Sequence, residues 1–230
     1  MRAVFLHELN AQVRYDAAHR RSGTTEYLVR RDDRDIGYGS VKDTQAGAGT
    51  VFEFYLLPGF RTDALDALRR LVDVSKADAL ECQSNDPFCG SLVPRLSDQV
   101  TTDTILFAAE TSNGLRSDGV FRRRRRADRV FEHKAEPVGD FVIEVAGAVV
   151  ATGGFLLHYN PPFADLFMEV RPDARRRGYG SFLIQELIAE CYLAGRVPAA
   201  RTGTDNVASQ RTLLKGGLRE CGRMLRVSLR

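Results

Sequence analysis

The chain has 230 residues, 43% hydrophobic and 27% charged, with a formal net charge of +3. That length suits one large α/β domain or two small ones, and no run of about 18 apolar residues marks a membrane span. The near-neutral balance excludes the strong global field of a general nucleic-acid binder, and the four scattered cysteines (Cys82, Cys89, Cys191, Cys221) form no CxxC pair and have no histidine at metal spacing.

The start, MRAVFLHELNAQVRYD, does not read as a signal peptide, so a reduced, cytoplasmic protein without a metal is expected. In chain order, TEYLVRR and IGYGSVK read as paired hairpin arms and GTVFEFYLL as a strand rich in aromatic and β-branched residues. TDALDALRRLVDV follows, with Ala64, Leu65, Leu68, Leu71 and Val72 at helical spacing. ADALECQ and TILFAAE are expected strands. The polar segment 111–139, with the run Arg122–Arg126, reads as a linker between regions 1–110 and 140–230.

Beyond it, DFVIEVAGAVVATGGFLLHY predicts two antiparallel strands turning at Ala146–Gly147. ADLFMEV predicts a strand, GYGSFLIQELIAECYLA a strongly apolar helix, VPAARTG a strand, NVASQRTLLKGG a helix and RECGRMLRVSL a final strand. The fold class is therefore α/β. The two regions also share Pro-x-x-Arg after a strand, at Pro58–Arg61 and Pro172–Arg175, as an internal repeat would.

The stretch VRPDARRRGYGS lies between an expected strand and an expected helix. A helix start leaves backbone N–H groups without acceptors and carries partial positive charge, so it suits phosphate. Gly178 and Gly180 permit close approach, and Arg175, Arg176 and Arg177 add charge. Taken alone, the stretch reads equally well as a turn with a solvated face. It is neither a P-loop nor a dinucleotide fingerprint.

A second motif follows downstream, 206-NVASQRTLLKGGL-218. Together the two resemble the GCN5-related N-acetyltransferase (GNAT) family: Arg175-x-x-Gly178-x-Gly180 is similar to its acetyl-CoA loop. Asn206, Ser209, Lys215, Gly217 and Leu218 match its second motif. The resemblance implies a GNAT fold, an α/β (α+β) fold whose mixed sheet splays between its fourth and fifth strands to admit pantetheine. It implies that the backbone at Val170 bonds the pantetheine and supplies an oxyanion N–H. Arg175, Arg176, Arg177, Gly178, Tyr179, Gly180 and Ser181 would hold the pyrophosphate, with Asn206 and Ser209 touching the cofactor from the other side.

Many members carry a tyrosine acid seven residues after that asparagine; here the position is Leu213. The proton carriers expected instead are Asp165 and Glu169, of one parity on the fourth strand, and His158 and Tyr159 at the end of the preceding one.

Region 1–110 reads as a degenerate GNAT-like unit. Thr62-Asp63-Ala64-Leu65-Asp66 replaces the glycine loop, and its two carboxylates would repel phosphate. Segment 81-ECQSNDPF-88 resembles one in tandem-type acetyltransferases whose N-terminal half lacks the loop.

The expected activity is acetyl transfer from acetyl-CoA to a primary amine of a small molecule or peptide; the alternative is a non-catalytic acyl-CoA-binding module. Acetyl-CoA and an amine are the expected partners, with no membrane and no nucleic acid, in a monomer or homodimer.

Overall fold

The computed structural model describes residues 1–9, 11–43, 49–110 and 114–229. Its contacts divide the chain into two compact units, Met1–Asp103 with Gly222–Arg230, and Thr104–Cys221.

The first unit opens with α1 (Arg2–Glu8) and α2 (Asp16–His19), then β1 (Thr24–Arg31), β2 (Arg34–Asp43) and β3 (Gly49–Leu56). A 3-10 turn over Pro58–Asp63 leads into α3 (Ala64–Ser75), β4 (Ala77–Gln83) and the short α4 (Cys89–Leu92). β1, β2 and β3 pair antiparallel, and β4 lies parallel to β3. β3 is buried along its whole length, as its aromatic and β-branched run anticipates. Ala64, Leu68 and Leu71 of α3 pack onto that sheet.

Neither α1 nor α2 is foreshadowed by hydrophobic spacing. α1 buries only Phe5, and a polar clamp holds it instead. Arg2 donates through Nε and Nη2 to Glu53, a carboxylate only 3% exposed on β3. His19 and the Tyr38 hydroxyl bond the same carboxylate. The charge is thus buried with partners, the one arrangement in which burial is tolerable.

The second unit contains most of β5 (Val100–Ala109), then β6 (Val120–Arg123), β7 (Phe141–Val145), β8 (Ala148–Leu156) and β9 (Phe163–Val170). α5 (Tyr179–Leu193), β10 (Val197–Gly203) and α6 (Val207–Lys215) follow. Its strands run in the order β5-β10-β9-β8-β7-β6, antiparallel throughout except β9 with β10. The β7–β8 hairpin turns at Ala146 and Gly147, both at positive φ, as the sequence anticipates. Leu183, Ile184, Leu187 and Cys191 of α5 recur at helical spacing and join the core with Ile143, Ala151 and Leu166.

The last strand, β11 (Leu218–Ser228), passes from one unit to the other: Met224–Ser228 pair antiparallel with Ala79–Gln83 of β4. Of the eleven residues of β11, Leu218–Cys221 count with the second unit and Gly222–Ser228 with the first. The expected linker 111–139 begins with residues 111–113, which lie outside the described residues, and includes the edge strand β6 paired with β7. Among the described residues no helix is long and apolar enough to cross a membrane.

Candidate active site

β9 and β10 run side by side only at Phe163–Asp165 with Val197–Ala199. Beyond Asp165 the two parallel strands part, and among the described residues Leu166–Val170 have no partner in β10. At the C-terminal end of β9, Pro172–Ala174 make a 3-10 turn, and Arg175 Nε donates to the Val170 carbonyl at 3.1 Å. Arg176 (φ 60°) and Gly178 (φ 89°) then take left-handed conformations that swing the chain into α5. For Arg176 that conformation is uncommon, whereas glycine adopts it freely.

The first helical bond at this end runs from the Phe182 N–H to the Gly178 carbonyl. By helix geometry, the N–H groups from Gly178 to Ser181 thus have no acceptor within α5. They gather at the positive end of a 15-residue helix. At Gly180, a Cβ would stand 3.1 Å from Thr212 Cγ2 and 3.3 Å from Val170 Cγ2, so any side chain would narrow the space where α5, α6 and β9 meet.

A cleft of about 700 Å3 occupies this region. The expected residues Glu169, Val170, Arg175, Arg176, Gly178, Tyr179, Gly180, Ser181, Asn206 and Ser209 all line it. Arg177, Asp165, His158 and Tyr159 are not part of its lining. Several of the lining side chains already have structural partners. The Tyr179 hydroxyl donates to Asp118, and Asn206 Oδ1 caps α6 by accepting the Ser209 N–H at 3.1 Å. Arg211 and Lys215 of α6 add positive charge, while Met168, Ala174 and Ala208 supply apolar wall. Leu213 is buried in the core, away from this cleft.

The expected proton carriers separate into two groups. His158 Nε2 lies 3.2 Å from Asp165 Oδ2, with the imidazole half exposed. Beside them Tyr159 is buried, and burial together with the Asp165 charge pushes its hydroxyl far above the usual tyrosine range.

Glu169 faces elsewhere. Its carboxylate accepts backbone N–H bonds from Lys134, Ala135 and Glu136 at 3.1–3.2 Å. Burial works to raise its proton affinity, but those three donors outweigh it and hold the carboxyl below the usual range. His133 completes the clasp: Nδ1 donates to the Glu136 carbonyl at 2.9 Å, and Nε2 shares a hydrogen bond with the Thr152 hydroxyl at 3.0 Å.

Through this clasp Lys134, Ala135 and Glu136 line the cleft. No sequence signal singled them out, because they sit in a polar stretch with neither periodicity nor motif. The arginine run beside them is structural at its start. Arg122 pairs with Asp128 and Glu144, Arg123 lies over the Phe141 ring, and Arg124 donates to the Gly139 carbonyl.

Residues 108–217 match the model of the acetyltransferase (GNAT) family. No curated protein matches the sequence. Among solved structures, a GNAT-family acetyltransferase from Colwellia psychrerythraea superposes with a TM-score of 0.75 at 13% identity, covering 100% of this chain and 94% of its own. That likeness is one of fold. A GCN5-related N-acetyltransferase from Sphaerobacter thermophilus gives 0.49 at 13% identity, covering 89% of this chain and 81% of its own. A tandem GNAT protein from the clavulanic acid biosynthesis pathway gives 0.49 at 12%, covering 91% and 84%. The parted strands, the glycine loop and the capped second helix all fall inside residues 108–217, the segment that matches the acetyltransferase (GNAT) family model.

Proposed function

We propose that the protein transfers the acetyl group of acetyl-CoA to a primary amine, using the cleft of its second unit. The observation that carries this reading is the junction of β9 and α5. There, two strands part beside a helix start whose free N–H groups, flanked by Arg175 and Arg176, open onto a cleft of about 700 Å3. The residues fit the cofactor: N–H groups and guanidinium groups suit pyrophosphate, the β9 backbone where β10 has parted suits pantetheine amides, and Met168 and Val170 suit its apolar parts.

Acetyl-CoA, when bound, supplies an activated carbonyl carbon. The chain's own part is to orient that carbon and to take a proton from the amine, and a β9 backbone N–H near Val170 would hold the developing oxyanion. Asn206 and Ser209 would face the cofactor from α6.

The first unit, by the same reasoning, holds no cofactor. Its 3-10 turn has one glycine, Gly59, near its beginning and none where it enters α3, where Asp63 and Asp66 stand at the helix start and Asp63 pairs with Arg31.

Calorimetry with acetyl-CoA and release of free thiol with a panel of primary amines test the proposal. Saturable binding with turnover of at least one amine is expected. Absence of acetyl-CoA binding would end it, and binding that never yields thiol with any amine would favour a non-catalytic acyl-CoA module.

A further inference from the structure

Two carboxylates line the cleft, Glu136 and Glu169, and they are differently placed for chemistry. Glu169 has its oxygens occupied by three backbone donors, with His133 Nδ1 3.7 Å away. Among the described residues the Glu136 carboxylate has no hydrogen-bond or ion-pair partner. Its backbone, by contrast, is fixed at both ends: the N–H donates to Glu169 at 3.2 Å, and the carbonyl accepts from His133 Nδ1. A rigid backbone carrying a free carboxylate into a cofactor-sized cleft is what proton abstraction needs.

We infer that Glu136 is the catalytic residue that takes the proton from the acceptor amine, and that Glu169 is the positioning residue that holds Glu136 in the cleft. The inference rests on the acetyl-transfer reading above and names that reaction's base.

The electrostatics agree. Glu136 is exposed as a residue, yet protein packed around its carboxylate limits solvation there. Burial and the negative charges of Asp165 and Glu169 raise its proton affinity, against a smaller opposite pull from Arg201 and His133. A carboxylate raised from its ordinary value holds an abstracted proton better, while Glu169, lowered, holds one worse.

The step balances as follows. The carboxylate of Glu136 removes one proton from the ammonium, and the freed nitrogen bonds to the thioester carbon. The C–S bond breaks, and the second proton lost by nitrogen neutralises the departing thiolate. The proton on Glu136 then passes to solvent.

The test uses the full chain and the variants Glu136→Gln, Glu136→Asp, Glu169→Gln and Asp165→Asn, with acetyl-CoA as probe. Glu136→Gln should bind acetyl-CoA within about threefold of wild type but turn over the amine panel about 100-fold more slowly. The acidic limb of the kcat/KM profile should lie above the ordinary glutamate range and vanish in Glu136→Gln, with partial rescue by Glu136→Asp. Carbon-13 titration of the Glu136 carboxyl, which needs no acceptor, should report the same raised value. In Glu169→Gln that value should move and the amides of residues 134–136 should exchange faster.

A Glu136→Gln enzyme keeping more than about a third of wild-type turnover overturns the inference, as does a carboxyl titrating at or below the ordinary range. So does an acidic limb removed by Asp165→Asn alone. If wild type itself fails to bind acetyl-CoA, the parent reading falls rather than this assignment. If no amine reacts, the titration and the exchange measurement decide.

Discussion

Gly178 and Gly180 are glycines for different reasons, and the difference can be measured. At Gly178 nothing lies within 4 Å of a notional Cβ, but φ is 89°, so the cost of a side chain there is conformational. Gly178→Ala should destabilise the loop by about 1–2 kcal/mol and weaken acetyl-CoA binding by strain alone. At Gly180 the obstacle is contact with Thr212, Val170 and Met168. Gly180→Val should lower Tm by overpacking, about 1–3 kcal/mol, and also cut acetyl-CoA affinity more than tenfold by filling the cleft wall. Denaturant titration beside calorimetry separates the two: a Gly180→Val protein with wild-type affinity would contradict the close packing of α5, α6 and β9.

At the scale of elements, β6 is the instructive case. It is an edge strand of four residues with little burial of its own. Its hold comes from Arg122, whose guanidinium meets Asp128 on one side and Glu144 of β7 on the other. Hydrogen bonds from Arg122 and from the Arg125 N–H pull the Asp128 carboxyl down to about 2. Because the folded value is depressed, the stabilising effect is present above the unfolded aspartate value and is lost as pH falls through about 2. Replacing Arg122 by alanine should therefore lower Tm by roughly a few degrees at neutral pH and by less near pH 2. An equal loss at both pH values would remove Asp128 from the explanation. What looks in sequence like a uniform basic tract is, in its first three residues, a set of structural contacts.

At the scale of the whole molecule, one acetyl-CoA per chain is expected, because only the second unit has the glycine loop at a helix start. Calorimetric stoichiometry should be about one, and Asp63→Ala should leave it and the affinity unchanged. A second binding event, or loss of binding on changing Asp63, would mean the first unit takes part.

Most of the strands, α3, α5 and α6, and the glycine loop between β9 and α5 were legible because each is written in contiguous residues: alternation or apolar runs for strands, helical spacing for α3 and α5, two glycines at a helix start, an asparagine at the start of α6. Three things were not. α1 is held through Arg2 and Glu53, 51 residues apart, so no local pattern announces it. β11 looks like one strand but belongs to two units, since strand propensity does not say which edge a strand will pair with. The carboxylates were the hardest to read. Sequence parity brought Asp165 and Glu169 forward together, and only the fold showed one paired with His158 and the other clasping a distant loop. Sequence alone determined the strand–glycine–helix junction on which the proposed acetyl-CoA site rests, because that depends on backbone shape set by neighbouring residues. Tertiary structure decided which carboxylate is free beside them, because proton affinity is set by charges and donors that meet only after folding.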